Sequence, residues 1–243
     1  LDVRAGMTPS DKPPVRIYLG TQPAQYRAER AFIWSIEKFR DPSRVYEVYV
    51  MRELAGFDRS RWTTGFTNYR FAIPEFAGRR GRAIWNDVDQ IYLADPAGLF
   101  DLDMDGHGFL AIAPGGQVDT AVMLLDCARM AEVWSLDEAR HGGKKGLIKK
   151  AMAVPGLHGL LDVEWHARDT KDFDRVRTKL LHYTTLHTQP WWPAPERFIY
   201  HDHPLASFWH DLERSADEAG YQQFTSSRPS KAFLAIRAAV PCE

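Results

Sequence analysis

The chain has 243 residues, 44% of them hydrophobic and 12% aromatic, which supports one large globular domain with a sizeable core. Its 31 Lys and Arg stand against 32 Asp and Glu, so no overall field draws it to nucleic acid or to an anionic membrane, and any charge-based function has to be local. Two cysteines, Cys127 and Cys242, are too few and too far apart for a disulfide framework and fit a reducing compartment.

Residues 1–14, LDVRAGMTPSDKPP, lack an apolar signal core and read as a linker or a cut boundary. The remainder, 15–243, reads as one domain with two halves, 15–127 and 128–243. VRIYLG (15–20) reads as a buried strand, AERAFIWSIEKF (28–39) has apolar residues at helical spacing, and YEVYVM (46–51) is a second strand. Strand, helix and strand within about thirty-five residues predict a βαβ unit and a parallel pairing. RAIWND (82–87), HGFLAIAP (107–114) and VDTAVMLLDC (118–127) continue the sheet. From residue 128 the texture changes to a helix-like ARMAEVWSL, a basic loop HGGKKGLIKKAM, a segment GLHGLLDVEW and a region rich in His, Trp and Pro. HPLASFWHDLERSADEAG then predicts an amphipathic helix closed by Gly220. No window reaches the roughly 18 apolar residues of a membrane span, so no integral membrane segment is expected.

Residues 86–96, NDVDQIYLADP, carry two aspartates at the exit of a strand. Side chains two apart on a strand share a face, so Asp87 and Asp89 point together. Like charges that close are costly unless a cation lies between them. In open α/β sheets ligands bind beyond the carboxyl ends of the strands, and a hard ion such as Mn²⁺ or Mg²⁺ suits such a carboxylate pair and leaves positions for phosphate oxygens. A turn with one capping and one solvated Asp accounts for the same letters.

The segment around this pair, GFTNYRFAIPEFAGRRGRAIWNDVDQIYLADPAGLFDLDM, resembles the centre of the family eight glycosyltransferases, a GT-A-fold group that includes bacterial lipopolysaccharide sugar transferases. The matching residues are Tyr69, Arg70, Asp87, Asp89, Leu99, Phe100 and Asp101. VDTAVMLLD resembles the family's Asn-Ala-Gly-Val-Leu-Leu-Ile-Asn segment, and LLHYTTLHTQPWWP resembles its His-x-x-Gly-x-x-Lys-Pro-Trp signature. The resemblance implies a Rossmann-like mixed α/β sheet flanked by helices, with an irregular C-terminal half. It also implies transfer of a hexose from a nucleotide diphosphate sugar, UDP-linked above all, to a glycan or glycolipid hydroxyl with retention of configuration, as in bacterial polysaccharide biosynthesis. The expected location is cytoplasmic, with peripheral attachment to the inner face of the membrane compatible with it.

On the family's pattern Asp87, Asp89 and His182 hold Mn²⁺ or Mg²⁺, with His187 competing for the third place. A divalent ion between the phosphates stabilises the charge that grows on the leaving group. Thr21, Gln25 and Tyr26, after the first strand, are expected to contact the nucleobase, and Arg70, Asp87 and Gln189 the phosphates and sugar. For Tyr26 packing on the sheet, and for Arg70 an ordinary carboxylate pair, are the alternatives.

Several positions depart from the family. Gln189 stands at the signature's Lys, leaving Lys144, Lys145, Lys149 or Lys150 to supply the missing charge unless they form a solvated face. Asp119 replaces the family's neutral Asn, and the Asp-Gln-Asp block on the reactive face of the sugar is absent. Asp119, Asp162 and Glu164 are therefore the candidate catalytic acids, with His166 beside them. His201, Asp202 and His203 read either as a metal site or as the cap of the final helix, and Trp191 and Trp192 as a sugar platform or core plugs. A non-catalytic sugar-nucleotide-binding module and a metal-dependent nucleotide-sugar phosphohydrolase are the alternative functions.

Overall fold

The computed structural model describes residues 1–60 and 62–223; Cys242 lies outside them. Strand β1 (Val15–Gly20) is buried along its whole length except at Arg16, as its mainly apolar run requires of a strand covered on both faces. Helix α1 (Tyr26–Phe39) follows, with Ala28, Ala31, Phe32, Ile33 and Ile36 buried on the face it turns to the sheet. Each large side chain so covered contributes about 1.5–3 kcal/mol. Strand β2 (Tyr46–Met51) pairs parallel with β1, completing the predicted βαβ unit. A short helix α2 (Ile73–Phe76) leads to β3 (Arg82–Asp87), also parallel to β1.

The chain then leaves this sheet. Asp87 ends β3, Val88 and Asp89 cross over, and β4 (Gln90–Tyr92) begins a separate small sheet. A buried amide network holds the crossing: Asn86 donates to Gln90 Oε1 at 2.7 Å, Tyr92 donates to Asn86 Oδ1 at 2.8 Å, and Gln90 donates to the Ala121 carbonyl at 3.0 Å. Helix α3 (Ala97–Phe100) returns the chain to β5 (Phe109–Ile112), and β6 (Asp119–Asp126) runs antiparallel to both β3 and β5. The sheet is thus mixed rather than wholly parallel.

Short helices α4 (Cys127–Ala131) and α5 (Leu136–His141) follow, the latter opened by a Ser135–Glu138 capping box. The basic stretch expected as a loop is instead helix α6 (Lys144–Met152), which buries Leu147 and Ala151 one turn apart. Strand β7 (His158–Leu160) then joins β5 in parallel, giving the six-stranded order β2-β1-β3-β6-β5-β7. The small sheet is completed by β8 (Ala167–Arg168) and β9 (Leu180–His182), in the order β4-β9-β8.

Helix α7 (Ala206–Glu218) packs Trp209, Leu212 and Ala216 inward. It closes as predicted on Gly220, whose φ of +62° allows Tyr221 to donate to the Ala216 carbonyl at 2.9 Å and Gly220 to that of Asp217 at 3.0 Å. Residues 1–14 form no strand or helix, yet Tyr46 donates to the Leu1 carbonyl at 2.9 Å and Ser10 to that of Ser43 at 2.8 Å. At the carboxyl end of β1, Gly20 is obligatory: a Cβ there would lie 2.3 Å from the Trp85 ring.

Candidate active site

The crossing from large sheet to small places Asp87 and Asp89 at the carboxyl end of β3, and the register of β9 against β4 brings His182 opposite Gln90. His182 Nε2 lies 3.3 Å from Asp89 Oδ1, an ion-pair contact that is not aligned as a hydrogen bond, so that this buried oxygen has no hydrogen-bond partner. The other ring nitrogen, Nδ1, lies 2.9 Å from His166 Nε2, and His166 in turn lies 3.9 Å from Asp119 Oδ2. Asp119, His166, His182 and Asp89 thus form one row. Gln189 ends it, donating to Asp89 Oδ2 at 3.4 Å while its own Oε1 has no partner.

The electrostatics divide the row. Burial pulls the His182 imidazole down, but Asp89 beside it, with Asp87 and Asp119 farther off, more than offsets this and holds it above the ordinary histidine value. Burial, reinforced by His182, drives His166 down to about 3, so it stays neutral at physiological pH. Burial and the Asp89 charge raise the Asp87 carboxyl despite the opposing Arg70. Asp119 is held below the usual carboxylate range: burial opposes this and is outweighed by His166, the Ala121 backbone N–H and His182.

Arg70 is not an open fork for phosphate. Its guanidinium donates to the carbonyls of Thr67 and Thr120 at 2.8 and 2.5 Å, pairs with Asp87 at 2.8 Å and lies over the Trp85 ring at 5.0 Å. Trp85 also donates to Asp87 Oδ1, at 2.8 Å. Arg70 therefore fixes Asp87 to the start of β6, and it is buried while doing so, so the carboxylate-pair alternative describes it.

The other expected residues divide as well. Thr21 is fully buried with an unpartnered hydroxyl at the end of β1. Gln25 is buried and accepts the Trp191 indole N–H at 2.5 Å, which makes it a clamp between loops rather than a free reader of a base. Tyr26 is 66% exposed at the start of α1 and does not pack on the sheet. His187 faces the Ile199 carbonyl at 3.3 Å and the Phe198 ring, so it has no contact with Asp87 or Asp89. Asp162 caps the turn that follows it, and Glu164 pairs with Lys179; neither has a polar contact with the row. His203 accepts from the Leu205 N–H at 2.9 Å just before α7, the capping reading, and pairs with Asp169 at 2.8 Å. Trp191 is buried against Tyr183 and Trp209, whereas Trp192 is 53% exposed and stacks on Tyr200.

Of the four candidate lysines, Lys150 pairs with Glu138, and Lys145 and Lys149 are exposed on α6. Lys144 alone among them turns to the site. Burial, then Arg70, lowers its ammonium pKa, while Asp87 and Asp119 oppose the shift. It also lines a cleft of about 660 Å³ with Asp119 and Thr120. A second cavity, of about 560 Å³ between α1, β2 and residues 219–223, shares no residue with the site. The sequence places His166 beside Asp162 and Glu164 in LDVEWHARD, but nothing in those letters marks it as the link between His182 and Asp119.

Among the described residues no three Asp, Glu, His or Cys side chains stand as a complete metal-ligand set. The donors nonetheless suit a hard or borderline divalent ion. Asp89 Oδ1 is a buried carboxylate oxygen without a partner, His182 Nε2 faces it, and His166 on the far nitrogen orients the ring. Asp87, as placed, is committed to Arg70 and Trp85.

No family model and no curated protein matches the chain. Among solved structures it is similar to the glycosyltransferase GlyE in Streptococcus pneumoniae TIGR4, at 15% identity and a TM-score of 0.57 over 88% of this chain and 67% of that one. It is similar also to the bifunctional glycosyltransferase WbbM (13%, TM-score 0.58, 85% of this chain), spanning 53% of that chain, about half its length. The galactosyltransferase LgtC matches at 12% identity and a TM-score of 0.58, over 83% of this chain and 96% of that one. The fold is the GT-A fold of glycosyltransferases. Within that class the structures it resembles are of the family eight type.

Proposed function

We propose that this protein is a glycosyltransferase that moves a hexose from a nucleotide diphosphate sugar, UDP-linked, to a hydroxyl of a glycan or glycolipid, with retention of configuration. The observation that carries the reading is the pairing of Asp89 with His182 beside Asp87, at the carboxyl end of β3 in a GT-A fold. The bond from the anomeric carbon to phosphate breaks, a bond to the acceptor oxygen forms, and the acceptor proton leaves with the diphosphate.

Asp89 and His182 would hold Mn²⁺ or Mg²⁺, joined by Asp87 on exchanging part of its contact with Trp85 or Arg70. When bound, such an ion neutralises charge on the diphosphate. The chain's own residues do the positioning. Arg70 holds Asp87 in place, His166 orients His182, and Gln189 fixes the second Asp89 oxygen. Lys144, within electrostatic range of Asp87 and Asp119, takes the place of the signature lysine. Asp119, whose Oδ2 makes no hydrogen bond among the described residues, orients a donor or acceptor hydroxyl. Thr21 and the exposed Tyr26 are the remaining candidates to contact the nucleobase.

Calorimetric titration with UDP, with and without Mn²⁺, tests the reading: binding that requires the ion is expected, and no binding under either condition would overturn it. A non-catalytic binding module is the second reading, favoured by one observation: Asp162 and Glu164 are taken up by a cap and an ion pair. Release of UDP from UDP-sugars separates the two, since a pure binder saturates without turnover. Release of sugar phosphate instead would identify a phosphohydrolase.

A further inference from the structure

The cleft of about 660 Å³ beside the row is lined by Pro114, Gln117, Asp119, Thr120, Lys144 and Lys171, with Val118 and Arg168 completing it. Its walls are polar, and its charges are unevenly matched. Arg168 is neutralised by a two-pronged pair with Asp172. Lys144 lies within electrostatic range of Asp119 and Asp87. Lys171 has no side-chain hydrogen bond or ion pair among the described residues, and neither has the Gln117 amide. In a chain whose formal net charge is -1, an open cleft with a spare ammonium and a spare amide is complementary to an anion.

We propose that this cleft is the acceptor side of the site, and that it takes an acceptor carrying a negative group, carboxylate or phosphate, close to the hydroxyl that receives the sugar. The inference rests on the glycosyltransferase reading and names its substrate class. Asp119 belongs to both the cleft and the row, and Lys144 lines the cleft within electrostatic range of Asp87, whereas Asp87, Asp89, His182 and Gln189 line no part of it. The cleft therefore adjoins the residues proposed to hold the metal without containing them. A hydroxyl bound at Asp119 Oδ2 leaves the rest of the acceptor facing Gln117 and Lys171.

The full chain is titrated with glucose, glucuronate and glucose 6-phosphate, each with and without saturating UDP and Mn²⁺, at low and high salt. Both anions are expected to bind about tenfold or more tighter than glucose at low salt, and to lose that advantage in high salt. Lys171→Ala is expected to remove about fivefold or more of the anion affinity and to leave UDP affinity within about twofold, and Lys171→Glu to remove more. Lys38→Ala, an exposed charge on α1 away from the cleft, controls for the change in net charge, and melting temperature controls for folding. Equal binding of glucose and the anions, or anion affinity unchanged in Lys171→Ala, overturns the proposal. Equal loss of UDP affinity and anion affinity in Lys171→Ala would assign the cleft to the donor diphosphate and also overturn it. A wild type that binds the anions but no UDP would instead fault the glycosyltransferase reading on which the proposal stands.

Discussion

In the large sheet, Ile84, Trp85, Leu124 and Leu125 are all fully buried, and β3 and β6 present an almost unbroken apolar surface to the layers around them. The small sheet and the turns beside it bury polar residues instead, Gln90, His166, Asp169 and His182. The large sheet gains its stability by removing carbon from water. The small one spends stability on polar groups, and not all of them are satisfied: Asp89 Oδ1, His166 Nδ1 and Gln189 Oε1 have no partner. Each such orphan costs about 1–3 kcal/mol. Three of the eight such atoms among the described residues thus fall beside the small sheet, where a ligand could satisfy them.

That contrast can be broken from either side. Leu124→Ala, in the middle of β6, is expected to lose about 3 kcal/mol of stability in denaturant titration and to leave UDP affinity unchanged wherever the protein is folded; a coupled loss of affinity would show that the two sheets do not divide the work. Asp89→Ala should do the reverse. It is expected to lower Mn²⁺-dependent UDP affinity about 100-fold or more, about 2.7 kcal/mol, with little change in melting temperature. Full affinity in that variant would remove the carboxylate pair from the binding site.

Asp172→Asn probes the polar side by pH. The Arg168 guanidinium holds the Asp172 carboxyl below its ordinary value, so its contribution is present above the unfolded value and is lost as pH falls through the lower folded one. The variant is expected to be about 1 kcal/mol less stable than wild type at pH 7 and to match it in strong acid. A gap independent of pH would mean that the pair acts through packing. Glu164→Gln has the smallest expected effect, below about 0.5 kcal/mol, because its partner Lys179 is partly exposed. Any large loss of UDP affinity there would return Glu164 to the site.

Five of the six strands of the large sheet were legible because they are mainly apolar runs bounded by polar turns, as in VRIYLG and the 118–127 segment; β7, three residues long, was not. The small sheet was not, since QIY and LLH are three residues long and no periodicity can be read from so few. Helix α6 was hidden by the glycine pair before it, by Gly146 and by its four lysines, with only Leu147 and Ala151 to report a buried face. At the site, the Asp87–Asp89 pair could be read as two carboxylates at a strand exit, but the confinement of Arg70 could not, because one of its partners, the Thr120 carbonyl on β6, is fifty residues away and the pairing depends on the sheet. The choice between His182 and His187 likewise depended on which of them β9 would carry opposite β4, a matter of strand pairing rather than of local sequence.

The loop after β1 and the start of α1 are fastened far along the chain. Besides the Gln25–Trp191 bond, Arg27 donates to the Trp191 carbonyl at 3.0 Å, pairs with Glu213 at 2.8 Å and lies over the Trp209 ring at 4.9 Å. During synthesis the amino-terminal half emerges from the ribosome first, and contacts of this sequence separation form last. A nascent chain halted before residue 191 therefore carries the βαβ unit with the outer side of α1 uncovered and the loop after β1 unfastened. Only when Trp191, Trp209 and Glu213 have been added does that end of the protein acquire its final shape.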